Sequence, residues 1–335
     1  MLSETLTLPC GAVLPNRLAK AAMTEGLATS EGVPTPELER LYGLWSDGGA
    51  GMLLTGNIQI DRHHLERPGN VIIDGEPDAR LQAALAGWAA AATRQDNHFW
   101  AQLSHAGRQT PKAVNPHPKA PSAITLGLPG GQFGQPVELT PSEIEDIVQR
   151  FGVAAAACQQ AGFTGVEIHG AHGYLLSEFL SPRVNQRQDH YGGDLRNRAR
   201  ILLEVVESVR SAVGAEFAVA VKLNSADFQR GGFAFEDSLL VVQWLEKGGV
   251  VLIEVSGGTY EQPTLVGLEG VEEEEEQAVK QSTKMREAYF IDFAIAMQEK
   301  VSIPLMVTGG FRRREVMEHA LETGGADLIG LGRPM

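Results

Sequence analysis

The sequence predicts an α/β fold, a single (β/α)8 TIM barrel that occupies residues 1–335. Eight short apolar runs alternate with amphipathic segments along the chain, and parallel strands need helical crossovers of this kind. The length of 335 residues fits one barrel domain, since α/β barrels often reach this size without splitting. An open dinucleotide-binding sheet would carry Gly-x-Gly-x-x-Gly directly after a strand, and the sequence has no such motif there.

The predicted strands share a high content of apolar and β-branched residues. In chain order they are 18–23, 50–55, 97–103, 164–169, 217–223, 250–256, 303–308 and 326–331. The predicted helices between them are 36–47, 78–95, 141–161, 196–213, 236–247, 283–299 and 312–323. Segment 196–213 is the clearest helix, because its apolar residues fall on one stripe of the helical period. Thr140, Pro141 and Glu143 predict a helix start, with a capping hydroxyl, a first-turn proline and an acid that meets the helix dipole.

Two long connections and the end of the chain depart from this regular alternation. Residues 104–140 and 257–282 are long for a compact domain, and we expect them to lie over the barrel mouth as binding loops. The acidic run 272–276 reads as a solvated face, because adjacent like charges repel and hydrate. The sequence ends at Met335, directly after the eighth predicted strand. The final helix of the barrel is therefore expected to be missing from this chain.

Composition excludes several classes of protein. The net charge of −14 argues against a nucleic-acid or anionic-membrane partner, since both require a basic surface. The two cysteines, Cys10 and Cys158, form no Cys-x-x-Cys pair, which excludes a disulfide framework and a cysteine-rich metal site and fits a reducing cytoplasm. The first residues carry no apolar signal segment, and no run approaches the ~18 apolar residues of a membrane span.

Polar residues and glycines stand at the carboxyl ends of all eight predicted strands. Catalytic groups of TIM barrels come from these strand ends and the loops that follow them. The residues in question are Thr24, Gly56, Asn57, Gln102, His105, Arg108, His169, His172, Tyr174, Lys222, Asn224, Ser256, Gly309, Gly310, Gly332 and Arg333. The sequence therefore predicts one small-molecule site at this end of the barrel.

The ends of strands 7 and 8 predict an anion site. Barrels commonly bind phosphate with the loops after these two strands. Gly309 and Gly310 allow backbone N–H groups to approach an anion without an intervening Cβ, and Arg333 can pair with it bidentately. From the glycine spacing alone, two ordinary tight turns and a surface arginine are an equal alternative.

The stretch from His169 to Arg198, HGAHGYLLSEFLSPRVNQRQDHYGGDLRNR, closely resembles the signature of the old yellow enzyme family. These proteins are FMN-dependent NAD(P)H:flavin oxidoreductases, or ene-reductases. NRLAKAAMTEG, AQLSHAGRQ, PLMVTGGFR and DLIGLGRPM support the resemblance, which covers the chain in the right order. No cysteine-rich extension follows, so the chain does not resemble the relatives with an iron–sulfur cluster and a second flavin domain.

The resemblance implies a set of FMN-binding residues. Ala22, Met23 and Thr24 would line the flavin edge, with Thr24 near the C4 carbonyl and N5. Gly56 would pass under the ring, and Gln102 would hydrogen-bond the pyrimidine side.

The resemblance also implies how the two ends of the cofactor are held. Gly310, Gly332 and Arg333 would hold the FMN phosphate. Lys222 is the candidate cation near flavin N1, where negative charge develops on reduction. NADH or NADPH would be the reductant, and no residue that reads the ribose is identifiable.

His169, His172 and Tyr174 would carry the chemistry on the substrate. The resemblance implies that the two histidines bind the carbonyl or nitro oxygen and that Tyr174 gives the proton. Donated N–H groups stabilise the charge that builds on this oxygen more than they stabilise the ground state. Tyrosine, with an unperturbed pKa of about 10, is protonated at neutral pH and can supply a proton.

Two other functions stay open on the residues alone. His169 and His172 are spaced i, i+3 and could serve a metal-dependent barrel hydrolase with an acid such as Asp227. No third and fourth ligand of suitable spacing lie beside them, so a metal site is not expected. A non-catalytic flavin- or phosphate-binding barrel is the other alternative.

Two positions depart from the family pattern, in which Pro often stands at Ala22 and Arg at Lys222. Lysine keeps the positive charge but loses the planar fork of arginine. A homodimer is plausible, because barrels expose broad outer faces.

Overall fold

The computed structural model describes residues 1–128, 130–259, 261 and 291–335. Its centre is a closed barrel of parallel strands, β1 to β8, which are Leu18–Lys20, Met52–Gln59, His98–Ser104, Gly165–Gly170, Ala218–Asn224, Leu252–Ser256, Leu305–Thr308 and Leu328–Leu331. Each strand pairs with its neighbours in sequence, and β1 pairs with both β8 and β2. A ninth strand of the sheet, Val71–Ile72, pairs only with β2. The predicted (β/α)8 barrel is confirmed.

Helices cover the outside of the barrel. We number them α1 to α7: Pro36–Asp47, Ala79–Ala92, Pro141–Gln160, Arg200–Val213, Phe235–Lys247, 291–298 and Arg314–Glu322. The predicted start of α3 is confirmed, since Thr140 and Glu143 form a reciprocal capping box and Pro141 occupies the first turn. Part of the predicted helix 283–299 and most of the predicted loop 257–282 lie outside the described residues.

Several local features differ from the sequence prediction. The predicted helix 196–213 is divided into Leu195–Arg198 and α4. Strand β2 continues to Gln59, four residues past its predicted end, and shifts register against β3 between Leu54 and Asn57. Helix Leu175–Leu180, the 3-10 turn Gly107–Gln109 and three short strand pairings were not predicted. Such short elements depend on tertiary contacts rather than on sequence periodicity.

Two apolar cores hold the barrel together. The larger one lies between the strands and the helices and includes Phe99, Phe151 and Val221. The smaller one fills the barrel interior, where Met52, Trp100, Leu252, Met306 and Leu328 meet inward-facing alanines. The N-terminal hairpin of Leu6–Thr7 and Val13–Leu14 packs its leucines against this inner core. The interior is thus filled with side chains up to the level where polar groups begin.

No helix among the described residues is both long and apolar enough to cross a membrane.

Candidate active site

Three predicted substrate-site side chains meet at the carboxyl end of β4. The ring centroid of His169 lies 5.2 Å from that of His172 and 4.9 Å from that of Tyr174. His172 and Gly173 have φ angles of 62° and 76°, so the chain turns sharply after β4 and brings the three rings together. Tyr174 precedes helix Leu175–Leu180, and its side chain is buried. His169, His172 and Tyr174, which are two or three positions apart in the sequence, thus form one continuous surface of rings.

Both imidazoles are neutral at pH 7. Burial is the main cause that lowers the pKa of His169 well below its usual value, and electrostatic interactions with His172 and Lys222 act in the same direction. Burial and Lys222 lower the pKa of His172 to about 3, against the opposing charge of Glu254. The backbone N–H of Ala171 donates to Nδ1 of His169 at 3.4 Å, which assigns the proton of this ring to Nε2. His169 is therefore a neutral N–H donor at the barrel mouth.

His172 is held in place by three different elements. Its Nε2 lies 2.5 Å from Oγ of Ser256 on β6, and its backbone N–H donates to Oδ1 of Asn224 on β5 at 3.2 Å. Its carbonyl accepts from Nε2 of Gln109 at 3.1 Å. In the sequence, Asn224 and Ser256 stand at predicted strand ends, and no role was predicted for them. Their positions after two neighbouring strands were the only signal available.

A cavity of about 570 Å³ opens beside the ends of β7 and β8. Its volume falls within the range of small-molecule sites, roughly 300–1,000 Å³. The lining residues are Thr308, Gly309, Gly310, Phe311, Arg312, Gly330, Leu331, Gly332, Arg333 and Pro334. Three of the predicted FMN-binding residues are among them. Arg312 also lines the cavity but was not predicted, because it lies in the connection after Gly309 and Gly310 and not at the end of a strand.

The glycines give this cavity the form of an anion cradle. Gly309 and Gly310 have φ angles of 106° and 83°, a conformation that L side chains rarely adopt, and a Cβ on Gly309 would meet no atom. Arg312 and Arg333 line the cavity and form no ion pair with the residues that the structure describes. Open backbone N–H groups with two available guanidinium groups fit the phosphate of FMN.

The segment after β1 connects this cavity to the barrel centre. Sδ of Met23 is the nearest atom to a Cβ built on Gly332, at 3.8 Å. Ala22 packs against the inner barrel core. A Cβ on Gly56 would collide with the carbonyl oxygen of Met23 and with Cα of Thr24. Gly56 therefore allows β2 to approach the 22–24 segment closely, so the three predicted flavin-edge residues lie beside Gly56.

Thr24 and Asn57 share a carboxylate that sequence analysis did not identify. The hydroxyl of Thr24 donates to Oε2 of Glu66 at 2.5 Å, and Nδ2 of Asn57 donates to the same oxygen at 2.7 Å. Nη2 of Arg67 donates to Oε1 of Glu66 at 2.8 Å. This carboxylate ties the ends of β1 and β2 together at the rim of the site.

A polar layer lies inside the barrel, above the apolar inner core. Nε2 of Gln102 on β3 donates to Oε1 of Glu167 on β4 at 2.6 Å. Nζ of Lys222 on β5 lies 2.8 Å from Oε1 of Glu254 on β6. All four side chains are buried. Lys222 is thus an interior cation beside His169, its register partner on β4.

Asp61, His64 and His105 form a second polar cluster on the connections after β2 and β3. Nδ1 of His64 lies 2.9 Å from Oδ2 of Asp61, and Nε2 of His105 faces the same oxygen at 3.8 Å. The other nitrogens accept hydrogen bonds from the backbone N–H groups of Lys119 and Gly107. Both protons therefore point at Asp61, whereas a metal would need lone pairs there. The geometry favours a hydrogen-bonded link between the two loops over a metal site.

Arg108 and Glu178 tie the loop after β3 to helix Leu175–Leu180. Nη2 of Arg108 donates to Oε2 of Glu261 at 2.9 Å, and its backbone N–H donates to Oε1 of Glu178 at 2.9 Å. Burial raises the pKa of Glu178 to about 8, against the opposing charge of Arg108. The side chains of Arg108 and His105 both contact the loops at this end of the barrel.

Comparison with known proteins identifies the class that this fold and site define. The model of the NADH:flavin oxidoreductase / NADH oxidase family matches residues 10–335. The chain belongs to this family, which confirms the resemblance to old yellow enzymes. It is an oxidoreductase that uses FMN with NAD(P)H as reductant; neither the metal-dependent hydrolase nor the non-catalytic barrel is supported.

Two fungal relatives and two solved structures illustrate this membership. The chain is 39% identical to the NADH-dependent flavin oxidoreductase iliE of Neonectria sp. (strain DH2), over 99% of this chain and 45% of that protein. It is 37% identical to iliE of Hypocrea jecorina (strain QM6a), over 99% and 85%. An old yellow enzyme homologue from Zymomonas mobilis matches with a TM-score of 0.80 and 25% identity, over 99% and 88% of the two chains. A morphinone reductase variant in complex with tetrahydroNAD matches with a TM-score of 0.78 and 25% identity, over 99% and 86%.

Proposed function

We propose that this chain reduces the activated C=C bond of an α,β-unsaturated carbonyl or related compound. The observation that carries the proposal is the grouping of His169, His172 and Tyr174 over the buried cation of Lys222. When bound, FMN supplies a site that accepts hydride from NAD(P)H and passes it to the substrate, chemistry that no side chain can perform. The protein supplies cofactor binding, substrate orientation and the proton.

FMN binding is assigned to the groups that the cavity and the barrel mouth bring together. Gly310, Gly332 and Arg333 hold the phosphate, with Arg312 as an additional cation. The ring system would be held by residues at the end of β1 and in the polar layer. The residues assigned to it are Ala22, Met23, Thr24, Gly56, Gln102 and Lys222.

His169 and His172 bind the substrate oxygen as neutral donors. The Nε2–H of His169 is fixed by the hydrogen bond that its Nδ1 accepts from Ala171. His172 lies beside it with its ring held at Ser256. Donors aimed at this oxygen stabilise the negative charge that develops there during reduction, and burial strengthens their effect. Tyr174, beside His169, holds the proton that the α-carbon receives.

The experiment that tests the proposal is anaerobic reduction followed by re-oxidation. We expect the purified protein to carry the yellow absorption of FMN, to bleach with NADH or NADPH, and to regain colour with 2-cyclohexenone. Because both half-reactions share one site, steady-state kinetics should follow a ping-pong pattern, with parallel double-reciprocal lines. A colourless protein that takes up no added FMN, or intersecting lines, would contradict the proposal. The names of the fungal relatives favour NADH as the better reductant.

The proposed function also predicts the partners and the location of the protein. The ligand is a small molecule, and neither nucleic acid nor a membrane is a partner. Cys10 and Cys158 are free thiols, as expected for a protein of the reducing cytoplasm. A homodimer remains a proposal that light scattering after gel filtration tests.

A further inference from the structure

Two buried carboxyl groups face each other inside the barrel, next to the only cation of the described polar layer. Glu167 on β4 and Glu254 on β6 flank Lys222 on β5, and the side chains of both acids are completely buried. Oε2 of Glu167 has no donor from another group, and it faces Glu254, whose Oε1 lies 2.8 Å from the ammonium of Lys222. Acceptor-only groups that face each other in a buried site need a proton between them.

Charge counting leads to the same requirement. Two carboxylates and one ammonium would leave a net negative charge in a site from which water is excluded, and such a charge is costly. One proton on the acid pair makes the cluster neutral. The groups that face it from other elements add no net charge. Gln102 donates from β3, Thr308 on β7 hydrogen-bonds Glu254, and the histidines above are neutral. Lys20 on β1 interacts with Lys222, but it is paired with Glu25.

The direction of each pKa agrees with this arrangement and places the proton on Glu167. Burial, followed by the charge of Glu254 and hydrogen bonding to it, raises the pKa of Glu167 well above its usual value. Burial opposes ionisation of Glu254 as well, but Lys222 and Glu167 together lower its pKa. Burial also opposes the charge on Lys222, and the two acids outweigh it, so its pKa is raised.

We propose that Glu167 and Glu254 are positioning residues that share one proton at neutral pH and set the position and effective charge of Lys222. Glu254 forms an ion pair with the ammonium group of Lys222. Protonated Glu167 donates a hydrogen bond to Glu254, so Glu254 needs no second cation beside it. The inference rests on the proposed function, in which Lys222 faces the flavin ring. A cation beside the ring favours the reduced, more negative cofactor, so Glu254 would weaken this effect by neutralising the cation.

Infrared spectroscopy of the oxidised holoenzyme tests the shared proton without any turnover. We expect a protonated carboxyl band at pH 7 that shifts when the protein carries glutamate with a ¹³C-labelled side-chain carboxyl. The comparison is made in a Glu178→Gln background, because burial raises the pKa of Glu178 to about 8 and its carboxyl would give a band of its own at pH 7. In that background the band should disappear with Glu167→Gln and persist with Glu204→Gln, a control on α4. Absence of the band from Glu178→Gln at pH 7 would overturn the proposal.

The midpoint potential of bound FMN tests the role of Glu254. Glu254→Gln should raise it, because the ammonium loses its neutralising partner. We expect at least a tenfold change in the equilibrium constant for reduction, about 30 mV for a two-electron couple. Glu167→Gln should change it by less than this, because glutamine also donates to Glu254. In a Lys222→Met background, Glu254→Gln should have no effect, which shows that Glu254 acts through Lys222.

The possible failures are distinguishable. If Glu254→Gln binds FMN with an unchanged potential, the positioning role is wrong and the proposed function stands. Equal upward shifts in Glu167→Gln and Glu254→Gln would mean that both acids are ionised, which contradicts the shared proton. If wild-type protein takes up no FMN, the proposed function fails, and with it the role assigned to Lys222.

Discussion

Nε2 of His172 lies 2.5 Å from the hydroxyl oxygen of Ser256, so a residue on β6 fixes a ring that belongs to the turn after β4. The contact links the turn after β4 to β6, and these two strands are not neighbours in the barrel because β5 lies between them. His172 therefore depends on closure of the barrel for its orientation. This dependence makes Ser256 the first residue to test.

Ser256→Ala should reduce kcat/KM for the alkene about 2- to 10-fold. The ring of His172 loses one neutral hydrogen bond, and such a bond contributes roughly 0.5–1.5 kcal/mol. Steady-state kinetics with a saturating reductant measure the change. Ser46→Ala is the matched control, because Oγ of buried Ser46 donates to Asn97 at 2.6 Å away from the site. Equal losses in both variants would mean that Ser256 only stabilises the fold.

Tyr174→Phe should slow re-oxidation by the alkene about 100- to 10,000-fold, the usual contribution of a general acid. Reduction of the enzyme by NADH needs no proton from this residue and should stay nearly unchanged. Stopped-flow absorbance separates the two half-reactions. Tyr191→Phe is the control, since Tyr191 is also buried and its hydroxyl donates to Glu204. Equal losses in both half-reactions would exclude Tyr174 as the proton donor.

Arg333→Gln and Arg312→Gln should each weaken FMN binding about 10- to 150-fold. A hydrogen bond to a charged group contributes roughly 1.5–3 kcal/mol. Titration of cofactor-depleted protein with FMN, followed by flavin fluorescence, measures the dissociation constant. Arg313→Gln is the control, because this neighbouring arginine does not line the cavity. The assignment of the cavity to phosphate fails if all three variants bind FMN equally well.

Glu178 should make the protein less stable as the pH rises from about 5 to 8. Burial raises its pKa from 4.5 to about 8, so between these values the folded state binds more protons than the unfolded chain. Stability therefore falls with rising pH in this window, by up to about 1.4 kcal/mol per pH unit. Glu178→Gln should flatten the profile of Tm against pH, whereas exposed Glu145→Gln should not. An unchanged slope in Glu178→Gln would disprove this account.

Treatment with EDTA should leave Tm and activity unchanged, because His64 and His105 both direct protons at Asp61. Asp61→Ala should lower the free energy of unfolding by about 1–3 kcal/mol, since the buried N–H of His64 loses its acceptor. Thermal denaturation measures both effects. A drop in Tm with EDTA that zinc restores would show that the cluster holds a metal.

Much of the fold could be predicted because barrel strands and helices have strong local patterns. All eight strands lie where apolar runs occur, and α3 begins at the start predicted from Thr140 and Pro141. The boundaries were less predictable. Strand β2 is longer than its apolar run because Gly56 and Asn57 continue it beneath the segment after β1.

The sequence by itself determined the barrel, the family and the position of the candidate site at the carboxyl ends of the strands. These properties depend on local periodicity and on a contiguous motif from His169 to Tyr174. Only the tertiary structure decided the partners of those residues. Glu254 is 32 positions from Lys222 in the sequence, and Ser256 is 84 from His172. Closure of the barrel brings such residues together, and burial then determines their charge, because desolvation depends on everything packed around a group.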